Sequence, residues 1–347
     1  MYKKLKDLNW RPPAGWEKIS TIDMHTGGEP LRILLAGYPK VTGKTILEKR
    51  KYFRDNFDLI RKGIMWEPRG HADMYGAVIT EPCSGDADFG AFFMHNEGYS
   101  TMCGHAIIAL TKFVLDTKLI RKRGDKPILK IDAPPGQIIS TGFREDGVVK
   151  SVAFRNVPSF VLHQDQHVQV PGLGRVQYDV AFGGAFYAIV DADKFRLSLD
   201  ASDYAKLIEL GMRIKKSVMN NQKIKHPFED DLSFLYGVIF TGNPYNPARH
   251  SRNVCIFANG EVDRSATGSG VSARAALHHA RGELKMGDKI SIESILGTNM
   301  EVELVGITTF GPHKAIIPVV SGTASFTGRN SFWFDPGDPL KEGFIFR

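Results

Sequence analysis

Residues 103–109 read CGHAIIA and residues 267–273 read TGSGVSA, and these two stretches decide the fold. Each begins with a residue that carries a thiol or a hydroxyl, continues with a glycine and a polar residue, and runs into a stretch predicted to be helical. They lie about half a chain apart, which predicts two similar domains that each contribute one helix N-terminus to a shared cleft. Chance similarity between two small-residue helix starts is the alternative explanation.

Strands dominate the rest of the sequence. Six apolar, often β-branched runs with turn-rich borders are predicted to be strands, and three segments are predicted to be helices. The strand runs are Leu31–Leu35, Ile128–Ile131, Val149–Phe154, Val254–Phe257, Met300–Val305 and Ala315–Val320; the helices are Gly104–Leu115, Ala201–Asn220 and Val271–Arg281. Few helices among many strands argue against a regular βαβ alternation and indicate an α+β fold.

The charge balance points to a small ligand rather than to nucleic acid. The 347 residues carry a net charge of +7, much of it in clusters at residues 3–6, 49–51 and 118–123. These clusters are not interleaved with aromatic residues as in a nucleic-acid stacking surface. We therefore interpret them as solvated faces, whose mild positive field would attract a small carboxylate.

Length and cysteine content restrict the class of protein further. A chain of 347 residues suggests two domains, and no run approaches the roughly 20 apolar residues of a membrane span. The charged, proline-containing N-terminus does not resemble a secretory signal. Three widely spaced cysteines, Cys83, Cys103 and Cys255, do not suggest a disulfide framework. We expect a cytoplasmic protein without membrane contact.

Two helix starts that face each other would bind one carboxylate, because each presents unpaired N–H groups and partial positive charge. Gly104 and Gly268 would allow close approach of the backbone. Cys103 would then lie beside the α-carbon of the bound acid, and the helix terminus should lower the pKa of its thiol, which makes it a plausible base. The alternative is that Cys103 is a small buried apolar residue.

Two competing motifs carry less weight. Residues 268–273, GSGVSA, match the G-x-G-x-x-A dinucleotide fingerprint, with Glu293 at a plausible distance for a ribose contact. The fingerprint should follow a strand directly, whereas a polar stretch separates it from the run that ends at Phe257. His71 and Asp73 are close in sequence, but no third metal ligand stands nearby. We expect neither a nicotinamide cofactor nor a metal.

Several blocks together resemble the proline racemase family. Residues 100–109, STMCGHAIIA, and residues 263–274, DRSATGSGVSAR, resemble its two catalytic motifs. Residues 23–30, 67–71, 93–99 and the tail from 322 to 336 resemble further blocks, in order. The resemblance implies a fold like that of diaminopimelate epimerase: two pseudo-symmetric β domains, each wrapped around a central helix, with the active site in the cleft between them. We place the domains at 1–165 and 166–330, with the tail 331–347 returning to the first.

The resemblance also implies roles for individual residues and a site without metal or organic cofactor. Cys103 falls on the first catalytic cysteine, and Asp263 falls on the acid that pairs with the ring ammonium of the substrate. The carboxylate-binding turns are Gly104, His105, Gly268 and Ser269. The substrate would be a proline-like amino acid.

The sequence departs from the racemase pattern at Thr267, where racemases and 4-hydroxyproline epimerases have a second cysteine. The combination of Cys103 with Thr267 is similar to that of the family members that dehydrate trans-3-hydroxy-L-proline to Δ1-pyrroline-2-carboxylate. In that substrate the hydroxyl and the α-hydrogen share one face, so one thiol suffices for a syn elimination. A proline or 4-hydroxyproline 2-epimerase and a non-catalytic binder of such amino acids remain alternatives, and a homodimer remains open.

Overall fold

The computed structural model describes residues 1–346, and within them the chain forms 18 strands and five α-helices. The helices are α1 Tyr2–Lys6, α2 Ile46–Met65, α3 Gly104–Asp116, α4 Tyr204–Asn221 and α5 Gly268–Ala280. The strands of the first half are β1 Glu17–Thr26, β2 Glu29–Ala36, β3 Tyr75–Thr80, β4 Phe89–His95, β5 Tyr99–Ser100, β6 Ile128–Ala133, β7 Gly136–Glu145 and β8 Val148–Arg155. Those that follow are β9 Ser159–Val170, β10 Gly174–Phe182, β11 Phe186–Asp191, β12 Leu235–Gly242, β13 Ser251–Phe257, β14 Glu261–Val262, β15 Lys289–Glu293, β16 Asn299–Phe310, β17 His313–Gly322 and β18 Ala324–Phe334.

The strand order repeats. In the first half β1 and β2 are antiparallel, β2 and β3 parallel, β3 and β4 antiparallel, β4 and β6 parallel, and β6, β7 and β8 antiparallel. The strands β10, β11, β12, β13, β15, β16 and β17 repeat this series of pairings in the same order. The helices correspond as well. The first parallel strand pair of each half is connected through α2 or α4, and the second pair is connected through α3 or α5. The repeat therefore extends far beyond the two matching motifs.

The two outer strands complete the halves. β18 pairs with β1, and β9 pairs with β10, each antiparallel. A boundary at residue 165 therefore falls inside β9, which lies wholly beside the second set of strands. The tail returns to the first half, where the Phe344 N–H donates to the carbonyl of Glu67. The domain limits themselves remain a prediction.

Each half wraps strands around one central helix. The helix α3 packs against β1, β2, β7 and β8, and its residues from Gly104 to Leu115 are all buried. The helix α5 packs against β9, β10, β11 and β16, and it is rich in glycine, alanine and serine. A helix buried on nearly all sides should consist mainly of apolar or small residues, and both helices do, with Lys112 in α3 and Arg274 in α5 as buried exceptions. The predicted α+β, epimerase-like fold is confirmed.

The elements predicted from the sequence are present in the structure, but the prediction omitted α1, α2 and most of the strands. All six predicted strand runs lie within strands, α4 begins after a short 3₁₀ turn, and α5 begins at Gly268 instead of Val271. The helix α2 was not predicted. Its buried face includes Lys49 and Arg50, so the interpretation of these two residues as part of a solvated face is wrong, whereas Lys51 is exposed. Lys49 donates to the carbonyl of Glu81, and Arg50 to that of Ser100.

None of the helices that the structure describes is long and apolar enough to cross a membrane.

Candidate active site

The N-termini of α3 and α5 touch at two glycines. A Cβ atom on Gly104 would lie 2.7 Å from the Cα of Gly268, and one on Gly268 would lie 2.8 Å from the Cα of Gly104. Such distances are shorter than van der Waals contact, so only glycine fits at both positions. The contact brings Cys103 and Thr267, the residues before the two helices, into one pocket.

All seven residues predicted for the site line this pocket. They are Cys103, Gly104, His105, Asp263, Thr267, Gly268 and Ser269. The cavity that they enclose measures about 10 Å³, which is roughly the space of a single water molecule. The site is therefore closed, and a proline-sized ligand enters only when the surrounding walls move.

The turn between β1 and β2 joins the two helix starts from one side. The Thr26 hydroxyl donates to the carbonyl of His105 at 2.9 Å, at the start of α3. In the opposite half, the backbone N–H of Arg264 donates to Oε2 of Glu29 at 2.7 Å, next to Asp263. One hairpin thus contacts the backbone beside both groups of functional residues.

Cys103 occupies the N-cap of α3 and is buried. Its Sγ accepts from the N–H of Ala106 at 3.3 Å and lies 3.1 Å from Nδ1 of His105. Burial raises the pKa of the thiol well above its usual range, and the charge of Asp263 adds to this, although the Ala106 hydrogen bond opposes it. The expected lowering of this pKa is wrong for the closed pocket, because loss of hydration outweighs the helix terminus.

His105 is neutral in this environment. Burial lowers the pKa of its imidazole to about 3. The ring packs edge-on against Tyr75, with centroids 4.7 Å apart. The closed site therefore pairs a neutral imidazole with a protonated thiol, and burial makes this imidazole too weak a base to take the thiol proton.

Thr267 has the corresponding place before α5 but a different conformation. Its φ of 65° lies in the left-handed region, which is unusual for a β-branched residue. Its N–H donates to Oγ of Ser265 at 3.1 Å. Its buried hydroxyl lies near Asp263 and Cys255 without a hydrogen bond of good geometry, and it does not cap the following helix.

Asp263 is a buried carboxyl group beside the second helix start. Its Oδ1 accepts from the N–H of Ser265 at 2.8 Å. Burial raises the pKa of the carboxyl to about 6, against the lowering effect of the Ser265 hydrogen bonds. Asp263 thus caps the local turn, while Arg264 forms its ion pair with Asp73 at 2.6 Å. A raised pKa is expected for a carboxyl group that is buried away from water without a cation bound beside it.

The sequence motifs did not indicate the aromatic residues that line the pocket. They are Tyr75, Tyr187, Tyr236 and Phe257, and Met102 lines the pocket with them. They lie in separate strands, apart from Met102, and the two matching motifs give no signal for them. A signal did exist in the repeat: β3 reads YGAVIT from Tyr75, and β12 reads YGVIFT from Tyr236.

Glu293 of the dinucleotide-type motif and Asp73 of the candidate metal pair are each bound to an arginine. Glu293, the candidate ribose contact, is buried and accepts from Arg252 at 2.7 Å. Asp73, the candidate metal ligand, is bound to Arg264. Among residues 1–346 no group of three or more histidine, cysteine, aspartate and glutamate side chains is placed to hold a metal ion.

Comparison with known sequences gives the same family over nearly the whole chain. The family model described as "Proline racemase" matches residues 21–345. A protein of Colwellia psychrerythraea named trans-3-hydroxy-L-proline dehydratase is 48% identical over 99% of this chain and 98% of its own length. A human protein of the same name is 43% identical, with 97% of each chain covered.

A solved structure shows the same architecture. A hydroxyproline epimerase from Agrobacterium vitis, with bound trans-4-hydroxy-L-proline, superposes with a TM-score of 0.90 over 96% of both chains at 27% identity. Matching motifs, a repeated fold around two helix starts and full-length similarity agree, and the chain belongs to the proline racemase family.

Proposed function

We propose that this chain is a cofactor-independent hydro-lyase that dehydrates trans-3-hydroxy-L-proline to Δ1-pyrroline-2-carboxylate. The observation that carries the proposal is the unequal pair of residues at the two helix starts, Cys103 and Thr267, in one pocket. One face of a bound ligand would meet a thiol, and the other an alkyl hydroxyl that does not titrate near neutral pH. Relatives that bear the dehydratase name over their full length support this choice.

Substrate binding would use both helix starts. The ligand carboxylate would accept hydrogen bonds from backbone N–H groups at Gly104, His105, Gly268 and Ser269, where the helix dipoles favour an anion. The ring ammonium would pair with the buried carboxylate of Asp263 in a charge-assisted hydrogen bond. These contacts would bring the α-carbon between Cys103 and Thr267.

The elimination needs one base. The positive ammonium would favour the thiolate form of Cys103, which takes the α-proton. The electron pair of the C–H bond forms the C2=C3 double bond as the C3–O bond breaks. The proton now on Cys103 passes to the departing hydroxide, which leaves as water, and the enamine tautomerises to the imine. Carboxylate and ammonium contacts would stabilise the carbanion-like transition state.

An epimerase is the second candidate, favoured by the structural similarity to the hydroxyproline epimerase. It would need an acid on the far face, where Thr267 stands. A non-catalytic binder is a third candidate, but it gives no reason for a thiol at residue 103.

One experiment separates the three. The protein is incubated in D2O with trans-3-hydroxy-L-proline, trans-4-hydroxy-L-proline and L-proline, and NMR follows α-deuteration and the imine product. Dehydration of the 3-hydroxy compound alone supports the lyase, and deuteration with inversion supports the epimerase. Binding without either change supports the binder.

The remaining expectations are proposals of the same kind. We propose a cytoplasmic location, which three free cysteines among the described residues favour. The limits 1–165 and 166–330, with the tail added to the first domain, stay predictions, as does a homodimer. The binding partner that we propose is a small molecule, a hydroxyproline-like amino acid.

A further inference from the structure

The repeat places one tyrosine from each half in the same pocket. Tyr75 opens β3 and Tyr236 stands second in β12, and each is followed by a glycine in matching strands. Their side chains are only 2% and 6% exposed, and both line the cavity beside Cys103 and Thr267. The pseudo-symmetry that pairs the helix starts therefore pairs these two phenols as well.

The hydroxyl groups of the three pocket tyrosines differ in their partners. Tyr75 donates to Oγ of Ser100, which belongs to the short strand β5. The hydroxyl of Tyr187 lies 2.7 Å from Oγ of Ser269. The Tyr236 hydroxyl is buried near the Tyr75 hydroxyl, which already donates to Ser100, and it makes no hydrogen bond of good geometry. The counterpart of β5 in the second half is β14, Glu261–Val262, which supplies no serine.

The ring of Tyr236 is nevertheless firmly positioned. It stacks on Phe257 with centroids 5.4 Å apart and planes 25° apart, and it meets Tyr187 edge-on at 5.9 Å. A buried hydroxyl without a well-formed hydrogen bond destabilises the folded protein, and a ligand oxygen can supply that hydrogen bond. A phenol can donate one hydrogen bond and also accept.

We propose that the hydroxyl of Tyr236 is the specificity-determining group that binds the C3 hydroxyl of the substrate. This inference rests on the proposed function for the identity of the ligand. The carboxylate and ammonium of a proline-like ligand already have partners at the helix starts and at Asp263, so the ring hydroxyl is the ligand group that still needs one.

Tyr236 would act as a hydrogen-bond donor and not as an acid. Burial raises the pKa of its phenol well above the usual range, so the proton stays on Tyr236. A hydrogen bond to the C3 oxygen holds the leaving group and stabilises the charge that develops as the C–O bond breaks. The proton that completes the water molecule still comes from Cys103.

The test compares two ligands that differ by one hydroxyl. Binding of trans-3-hydroxy-L-proline and of L-proline is measured by calorimetry in a Cys103→Ser protein, which prevents turnover, with and without Tyr236→Phe. We expect Tyr236→Phe to weaken binding of the hydroxylated ligand about tenfold, as for loss of one neutral hydrogen bond. The affinity for L-proline should stay the same or rise.

Tyr187→Phe is the matched control. Its hydroxyl already has a partner in Ser269, so its removal should change the affinity for both ligands by the same factor and leave their ratio unaltered. The same ratio is measured in the protein that retains Cys103, as kcat/KM for the hydroxylated substrate against the inhibition constant of L-proline. Tyr236→Phe should lower this ratio at least as much as the calorimetric ratio, because kcat/KM also contains the stabilisation of the charge that develops on the C3 oxygen.

Three results would overturn the inference: an equal loss for both ligands, no change for either, or a loss confined to trans-4-hydroxy-L-proline as a third ligand. A clearly lower melting temperature of Tyr236→Phe would overturn it too, because it would reveal a structural partner of the hydroxyl. Failure of the proposed function is distinguishable, since it appears as absent dehydration by the unaltered protein, whereas the binding ratio in the Cys103→Ser protein requires no turnover.

Discussion

The starts of α3 and α5 occupy equivalent places in the repeat but are built differently. Cys103 is extended, and its side chain caps α3 by accepting from Ala106. Thr267 is left-handed and leaves α5 without a side-chain cap. The two halves share the backbone contact between Gly104 and Gly268, but they differ in the residue that precedes each glycine. The symmetry of the fold therefore provides two equivalent positions beside the pocket, and under the proposed function only the Cys103 side chain would transfer protons.

The charged groups are divided unequally as well. Beside Cys103 stands the neutral imidazole of His105, whereas the second half contributes the buried carboxyl of Asp263. The first half thus carries the group that would move a proton, and the second half the group that would hold the substrate nitrogen. Each of the following predictions tests this division.

Replacement of Cys103 should have the largest effect. Cys103→Ser should reduce dehydration at least about 10³-fold, since general-base catalysis contributes on the order of 10² to 10⁴ and a serine hydroxyl is a far weaker base. NMR detection of the imine product gives the rate, and calorimetry checks that ligands still bind. Cys83→Ser, at an exposed cysteine, is the control and should keep full activity. Substantial turnover by Cys103→Ser would remove the thiol from the role of base.

Replacement of Asp263 should mainly affect binding. Asp263→Asn should weaken binding of proline-like ligands about 10²-fold, because it replaces a charge-assisted hydrogen bond in a dry pocket by a neutral one. Pyrrole-2-carboxylate, whose ring nitrogen carries no charge, should lose much less. Calorimetry with both ligands gives the comparison. An equal loss for the two would show that the bond to Ser265 is the only function of Asp263.

The same variant should alter stability in a pH-dependent way. The pKa of Asp263 is raised in the folded protein to about 6, so between pH 4 and 6 the folded state binds more protons than the unfolded state. Its stability therefore falls as pH rises through that window. Asp263→Asn should be more stable than the unaltered protein by about 3 kcal/mol at pH 7.5 and nearly equal to it at pH 4. Thermal unfolding at both values measures this, and a less stable variant at pH 7.5 would contradict it.

The sequence predicts the two helix starts well because their chemistry is local. The residues before, at and after Gly104 and Gly268 are contiguous, and a repeated pattern reveals them. It predicts the pKa of Cys103 poorly, because that value depends on burial by walls from distant strands. The helix α2 was missed because buried cations such as Arg61, which donates to backbone carbonyls, make its inner face look like a surface.

The pairing of α2 with α4 shows what a fuller use of the repeat would have given. Thr45 accepts from the N–H of Glu48, whose side chain accepts from the N–H of Lys44, which is close to a capping box. Together with the predicted helix at the equivalent place in the second half, that signal would have located α2. The Tyr-Gly pair of β3 and β12 would have located two walls of the pocket in the same way.

Replacement of Thr267 should have the smallest effect and is the sharpest test of the comparison. Thr267→Cys should add slow epimerisation of trans-4-hydroxy-L-proline or L-proline, because a thiol on the far face can protonate the carbanion that Cys103 generates. Cysteine is close to threonine in volume and is not β-branched, so the left-handed backbone should tolerate it and stability should change by less than about 1 kcal/mol. Dehydration should persist if Cys103 alone performs the syn elimination. Chiral chromatography after long incubation, with the unaltered protein and Thr267→Ser as controls, gives the readout. A folded variant that dehydrates but never inverts the α-carbon would show that residue 267 does not face that carbon, and the paired geometry of the two helix starts would then not extend to the substrate.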